Sequence, residues 1–373
     1  MSRILVLGGS GEMGSAVVAD LVERTDHEVT VGDIRPEAAS ALLGSLGAPD
    51  RVVRVDVDDP ASLRPAVAET EVVLNATYMR HNVPVTDAAI AAGVHLVDLG
   101  SYYPETLQQL ERNAAAEAAG CRIVPGCGVA PGLTNILARL GADQLETVEA
   151  IGLYSYISHP LWTSPGIVIT RFDASAGTSV VWDDGRLVER PSFSDAEAFR
   201  FPDPYGEQEV HLVPHPEAVT LPRSIDVPNV VFKVGYPEDE TRRIRVLLEL
   251  GLDQDEPFEL DGVAISPRRF AAAYIGRRGI GPDDRSANVK HVRVDGTREG
   301  RLARLTYDFA VEVTGRSASS TITGTVAAIA ADIVARGGGR LGVHPPEAAF
   351  EPRPFLDALA LRGLTVTERD LAR

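Results

Sequence analysis

Gly9, Gly11 and Gly14 form a G-x-G-x-x-G pattern within Gly8-Gly9-Ser10-Gly11-Glu12-Met13-Gly14, and Asp33 follows the last glycine. A carboxylate roughly 20 residues beyond such a turn is where a dinucleotide fold meets the adenosine ribose hydroxyls. Glycine serves three purposes there: a tight turn, close approach of backbone N–H groups to a pyrophosphate, and close packing of helix on strand. The phosphates would rest on a helix N-terminus, whose unpaired N–H groups favour an anion. Gly9, Ser10, Gly11, Glu12, Met13 and Gly14 are thus expected at the phosphates, and Asp33, Ile34 and Arg35 at the ribose. Asp33 points to NAD, because a carboxylate repels a 2′-phosphate; Arg35 is a cation that keeps NADP open.

The elements around these residues follow from periodicity. Ile4-Leu5-Val6-Leu7 reads as a buried strand, Ala16 to Val22 as a helix, and Glu28 to Val31 as a second strand. A helix from Pro36 to Leu46 and a strand from Arg51 to Val57 come next. Asp56, at the exit of that strand, is placed either near an adenine or as a helix cap. Glu71 to Ala76 is a fourth strand and Val94 to Gly100 a fifth, so Asn75, Ala76 and Gly100 fall at carboxyl ends, where open α/β sheets bind ligands. Glu105 to Ala119 reads as one helix and Cys121 to Val124 as a strand, which predicts a doubly wound parallel sheet. After the glycine-rich Pro125 to Asn135 the pattern changes. Alternating runs at Val148 to Ile157, Val210 to Leu212, Val230 to Tyr236 and Arg301 to Val313 predict a largely antiparallel sheet, with hairpin turns at Asp183-Asp184-Gly185 and Asp295-Gly296-Thr297. An apolar helix over Thr321 to Arg336 and a short amphipathic helix near the end complete the chain.

With 373 residues, 44% of them hydrophobic, the chain can build two cores. Its net charge of −17 argues against nucleic acid or an anionic membrane as partner. Cys121 and Cys127 are too close in sequence to make a disulfide scaffold, which fits a reduced, cytoplasmic setting. The amino terminus lacks the basic region, apolar core and cleavage site of a signal peptide, and no uninterrupted apolar run approaches membrane-spanning length.

On the glycine turn, Gly93 to Gly100, Gly128 to Asn135, Thr220 to Ser224, the helix from Thr321 to Gly337, and Gly342 to Glu347, the chain resembles the saccharopine dehydrogenase-like family of amine and amino-acid dehydrogenases over nearly its full length. Within that family it is most similar to the lysine 6-dehydrogenase branch. The resemblance implies a Rossmann domain over 1–127, an inserted α+β domain over 128–320 that binds substrate and builds a homodimer, and helices over 321–373 that return to the first domain. It also implies NAD, or NADP, and a small amine or amino-acid substrate.

Oxidising an amine needs loss of a proton from nitrogen, hydride transfer to the nicotinamide, and attack of water on the iminium. Asp98, at the carboxyl end of the fifth strand, is the expected partner of the amine. Tyr78, His81 and Asn82 follow the fourth strand, with Tyr78 as a second catalytic candidate and His81 at the substrate. Cys127 is placed as a pocket thiol or a small buried residue. Arg171, Arg223 and Arg316 are candidate partners for a substrate carboxylate, Arg223 being favoured by the resemblance, and His211 is a candidate pocket residue. His211 and His215 share no helical face because Pro214 and Pro216 intervene, so no metal is expected. The leading expectation is oxidative deamination of lysine or an analogue to a semialdehyde or cyclic imine. The alternative is a saccharopine- or carboxynorspermidine-type reductase that joins an amine to a carbonyl compound, and a third reading is a dinucleotide-binding protein without turnover.

Overall fold

The structure is a computed structural model that describes residues 1–100, 102–158 and 162–372. Strand β1 (Arg3–Leu7) is apolar throughout its buried part and leads to α1 (Glu12–Arg24), which buries Val17, Val18 and Leu21. Then come β2 (Glu28–Asp33), α2 (Pro36–Ser45), β3 (Val52–Arg54) and α3 (Pro60–Ala68), whose first turn is capped by the Asp59 carboxylate. Strand β4 (Val72–Asn75) passes through a 3-10 turn at Met79–His81 into α4 (Asn82–Ala92), which Gly93 ends in the left-handed conformation. Strand β5 (His95–Asp98), α5 (Tyr103–Leu110), α6 (Asn113–Ala118), β6 (Arg122–Val124) and α7 (Leu133–Ala142) follow. The single helix expected over Glu105 to Ala119 is therefore two.

Next are β7 (Thr147–Ser158), α8 (Pro165–Ser175), β8 (Thr178–Asp183), β9 (Arg186–Pro191), β10 (Glu197–Arg200), β11 (Glu207–Leu212), α9 (Glu217–Ser224), β12 (Val230–Gly235) and α10 (Glu238–Glu249). A small hairpin of β13 (Phe258–Leu260) and β14 (Val263–Ile265) precedes α11 (Pro267–Gly276), β15 (Arg285–Arg298) and β16 (Arg301–Thr314). The chain ends with α12 (Ala318–Ala335), β17 (Gly342–Val343), α13 (Pro346–Ala349), α14 (Pro352–Ala360) and β18 (Thr367–Ala372).

Two compact units result. The first comprises Met1–Gln144, Val219–Ile225 and Ser320–Thr365, and the second Leu145–Ala218, Asp226–Ser319 and Val366–Arg373. Along the chain the first passage between the units falls at 144/145, beyond α7, which packs with α13 and α14 of the first unit. The closing residues are not all helical: β18 pairs with β16 in the second unit.

The first unit's sheet has the order β17-β6-β5-β4-β1-β2-β3 and is parallel throughout. Strand order reverses between β1 and β4, the switch point at which such sheets bind dinucleotides. Leu5, Leu7, Val73, Leu96 and Ile123 pack with Leu63, Val67, Val85 and Ala89 of α3 and α4. Each such large side chain removed from water contributes about 1.5–3 kcal/mol. Helix α12 is long and apolar enough on average to cross a membrane, though Ser, Thr and Asp residues interrupt its apolar run, and 61% of that stretch is buried. In the first unit Gly324 lets it approach α1, since a Cβ there would lie 2.5 Å from the Ala16 Cβ.

The second unit's main sheet runs β10-β11-β12-β7-β15-β16-β18, antiparallel except for the parallel pair β12 and β7. The turn at Asp184-Gly185 joins β8 to β9 with positive φ at both residues, as a type I′ hairpin requires. Asp295-Gly296-Thr297 is no hairpin turn. It lies inside β15, where the register shifts opposite β7, and the turn falls at Glu299-Gly300.

Candidate active site

The glycine turn sits at the switch point of the first unit. A Cβ on Gly9 would lie 2.7 Å from Val31 Cγ1, and one on Gly14 would overlap the Gly8 carbonyl oxygen. Helix packing onto β1 therefore requires glycine at both positions. Gly11 is the N-cap of α1 and offers no side-chain cap, which leaves the first turn's N–H groups for an anion. The bare helix end and the cradle that a Cβ would fill fit a dinucleotide pyrophosphate at Ser10 to Gly14.

Asp33 ends β2 and is buried, where it has two tasks. Its Oδ2 accepts from the Ser10 N–H (3.0 Å) and hydroxyl (2.6 Å), and its Oδ1 from the Arg35 N–H (2.9 Å). The carboxylate thereby fastens the glycine turn to the end of β2. Ile34 is exposed, as is the Arg35 guanidinium, whose Nε lies 3.8 Å from Asp33. Asp56 does not cap α3, which Asp59 caps; it holds the turn before that helix, its Oδ1 accepting from the Asp58 N–H at 3.1 Å and its own N–H donating to Ser62 Oγ at 2.9 Å.

A buried chain of hydrogen bonds links the carboxyl ends of β4, β5 and β6. His81 Nε2 lies 3.0 Å from Arg80 Nε and 3.2 Å from Asp58 Oδ1, and its Nδ1 faces Thr77 Oγ1 at 3.2 Å. The Thr77 hydroxyl donates to Asn75 Oδ1 (2.6 Å), Asn75 Nδ2 to Asn82 Oδ1 (2.8 Å), and Asn82 Nδ2 to the Gly100 carbonyl (3.1 Å). The Gly100 N–H donates to Asp98 Oδ1 (2.8 Å), which also accepts from the Gly126 N–H (2.8 Å), while Gln109 Nε2 donates to Asp98 Oδ2 (2.7 Å). Burial keeps His81 below its usual pKa, with Asp58 opposing that effect.

Asp98, the residue expected to partner the amine, lies within this network. Its carboxyl is fully buried and its oxygens accept from Gly100, Gly126 and Gln109, so it positions two loops and presents no free face to an amine. Burial raises its pKa against those three hydrogen bonds. Asn75 is a network member, Ala76 backs the glycine turn beside Gly8, and Tyr78 stands half-buried at the start of the 3-10 turn. Cys127 is buried with its Sγ toward the Val124 carbonyl, and burial, Asp98 and Glu347 push its pKa well up.

Arg223 lies apart from these residues. With Arg139, Arg340, His344 and Glu351 it lines a cavity of about 720 Å³ in the first unit that shares no lining residue with the glycine turn or the network. Its Nη1 donates to the Val219 carbonyl. Near this cavity Asn135 joins three of the sequence stretches singled out above. Its Oδ1 accepts from the Gly132 N–H (2.9 Å), and its Nδ2 donates to Thr220 Oγ1 (3.2 Å) and Glu347 Oε2 (2.9 Å).

In the second unit one cross-strand row runs His211, Val234, Ser155, Lys290 and Phe309. His211 is buried and stacked on Phe193, and its Nε2 lies 3.1 Å from Glu209 Oε1 in an orientation that makes no hydrogen bond. Burial lowers its pKa, with Glu209 opposing. Arg171 is buried over the Tyr236 ring, whereas Arg316 is exposed. Sequence reasoning missed Lys290, although one signal was present: Lys233 and Lys290 are the only lysines among 36 basic residues. Among the described residues no group of three or more His, Cys, Asp or Glu side chains is placed to hold a metal.

Residues 4–124 match the family model described as the saccharopine dehydrogenase NADP binding domain, and residues 128–364 match the saccharopine dehydrogenase C-terminal domain. The chain belongs to the saccharopine dehydrogenase family. This family comprises NAD(P)-dependent oxidoreductases, and its first-domain model is NADP-binding, in keeping with the glycine turn. A saccharopine dehydrogenase (NADP(+), L-glutamate-forming) of Schizosaccharomyces pombe is 27% identical over 51% of the chain, and the chain spans only 44% of that relative's length. A carboxyaminopropylagmatine dehydrogenase of Synechocystis is 22% identical over 98% of the chain and 96% of its own length. An apo saccharopine dehydrogenase (L-Glu forming) of Saccharomyces cerevisiae shares the fold with a TM-score of 0.77 at 17% identity, covering both chains completely.

Proposed function

We propose that this member of the family is an NAD(P)-dependent oxidoreductase acting on the carbon–nitrogen bond of a secondary amine that joins two small metabolite halves. The observation that carries this reading is the match of nearly the whole chain to a carboxyaminopropylagmatine dehydrogenase, with a second match to a saccharopine dehydrogenase. Both names describe molecules whose halves meet at a secondary amine. Terminal-amine deamination of lysine becomes the second reading, supported by the resemblance of the sequence to lysine 6-dehydrogenases. A homodimer built by the second unit also belongs to this proposal.

The residues that would hold the dinucleotide are Ser10 to Gly14 at the phosphates and Asp33 with Arg35 at the ribose. When bound, the nicotinamide exchanges hydride with the carbon attached to nitrogen. The chain's own residues set the geometry. Asp98 fixes the loops at Gly100 and Gly126, and the Asn75 and Asn82 amides fix the exits of β4 and β5. This is the preorganisation that holds reacting groups without reorganisation during reaction. Asp33 faces inward to Ser10 and Arg35 is exposed beside it, which supports acceptance of NADP as well as NAD.

The test is reduced-cofactor absorbance of the purified protein with NADP or NAD. Saccharopine, lysine and diamines would be offered in the oxidative direction, and amine plus aldehyde or keto-acid pairs in the reductive one. Turnover of a secondary amine, or its formation from a pair, is expected. Turnover of lysine alone would move the assignment to the deaminating reading, and silence in both directions would defeat both.

A further inference from the structure

Helix α11 of the second unit turns its small residues inward and its aromatic ones outward. Ala271, Ala272 and Gly276 are buried. Gly276 sets the approach to the start of α8, since a Cβ there would lie 2.4 Å from the Pro165 nitrogen. On the outer face Phe270 and Tyr274, one turn apart with ring centres at 5.8 Å, are 53% and 54% exposed. Arg269 and Arg277 flank them, the Arg277 guanidinium lying 3.7 Å from the Tyr274 ring centre. Arg268 pairs with Asp173 and Arg278 with Asp284, whereas Arg269 and Arg277 have no carboxylate partner among the described residues.

The hairpin just before this helix has the opposite charge and the same lack of cover. Strands β13 and β14 pair only with each other and meet at Asp261-Gly262, where φ is 52° and 78°. Cross-strand pairing sets Phe258 against Ile265 and Leu260 against Val263, so four apolar side chains share one face. Every residue from 254 to 264 is exposed, and Phe258, Leu260 and Val263 keep 48%, 52% and 60% of their surface in contact with solvent. A lone two-stranded hairpin is marginal in water until its apolar face is packed. The same segment carries Asp255, Glu256, Glu259 and Asp261, and among the described residues none of these carboxylates makes an ion pair. Within one chain, then, neither the hairpin nor the aromatic stripe of α11 covers the other.

We propose that these two surfaces are the halves of a homodimer contact in which the hairpin of each copy lies on helix α11 of the other. Exposed apolar surface rimmed by charge marks an interaction site, and aromatic and arginine side chains dominate the centres of such sites. The occupant is a second copy because one chain supplies both halves and each answers the other: an apolar face on an acidic arm, and an aromatic stripe between unpaired arginines. A twofold axis makes the exchange reciprocal, so that both arms are covered at once. This rests on the homodimer reading above and gives it a surface.

Sedimentation velocity of the full-length protein over a micromolar concentration series reads the dimer constant. Two reversals of exposed charge test the contact: Arg269→Glu with Arg277→Glu on the helix, and Glu256→Arg with Glu259→Arg on the arm. Each double variant alone brings like charges together and should weaken the dimer at least about hundredfold. An equimolar mixture of the two should dimerise again, because each arm then meets a helix of opposite charge, and that recovery also shows both variants to be folded. Phe270→Ala, which removes an anchor and leaves every charge in place, should weaken the dimer about tenfold or more. A parent that stays monomeric throughout the series overturns the proposal together with the homodimer reading, and leaves the patch to a partner of different sequence. Reversal variants that dimerise as the parent does would overturn the proposal alone, the homodimer then standing on another surface. A mixture that remains monomeric would overturn it as well.

Discussion

Replacing Asp98 separates its hydrogen bonds from its charge. Asp98→Ala leaves the Gly100 and Gly126 N–H groups and the Gln109 amide without their acceptor, so urea denaturation should show a loss of about 2–4 kcal/mol. Asp98→Asn should cost clearly less: Oδ1 can still serve both backbone groups, and Gln109, whose Oε1 has no partner, can flip to accept from the new amide. Equal losses in the two variants would contradict this account. At the ribose, Arg35→Ala should weaken NADP about tenfold and NAD little, the scale of one charge-assisted contact. Titration calorimetry with the two cofactors decides it. The type and spacing of Gly9, Gly14 and Asp33 made this end of the site legible, because each has a strict steric or hydrogen-bonding reason in its own neighbourhood. Asp98, Cys127 and Lys290 were not legible in the same way. Their roles depend on burial by segments distant in sequence, such as Gly126 against Asp98 or Ser155 against Lys290.

Elements were readable where periodicity and turn chemistry are local. The alternating strands and helices up to residue 124, apart from the break between α5 and α6, and the hairpin at Asp184-Gly185 emerge as expected. Gly296 misled because glycine in a strand can mark either a turn or a close backbone approach. Here a Cβ would strike the Thr147 carbonyl oxygen across the bulge. The same sterics give an element-level prediction: Gly14→Ala drives its methyl into the Gly8 carbonyl and pushes α1 off β1. Dinucleotide affinity should fall by more than about tenfold, with a stability loss of about 1–3 kcal/mol from overpacking, measured by fluorescence titration and thermal unfolding. An unaltered affinity would show that the turn does not hold the phosphates.

For the whole molecule, Lys290 links stability to pH. Unfolded, it keeps its proton up to about 10.5; folded, it releases it at about 7. Between those values the unfolded chain binds more protons, so stability should rise with pH, this group adding up to about 1.4 kcal/mol per pH unit. Lys290→Met should remove that part of the slope in denaturation curves taken from pH 7 to 9; an unchanged slope would mean the lysine is charged in the folded protein. The division of the chain has a different consequence. The backbone passes from one unit to the other after Gln144, Ala218, Ile225, Ser319 and Thr365. Strand β17, the edge of the nucleotide-binding sheet, becomes available only when Gly342 and Val343 have been synthesised. The first unit therefore cannot be completed early on the ribosome, and no single proteolytic cut can release it intact.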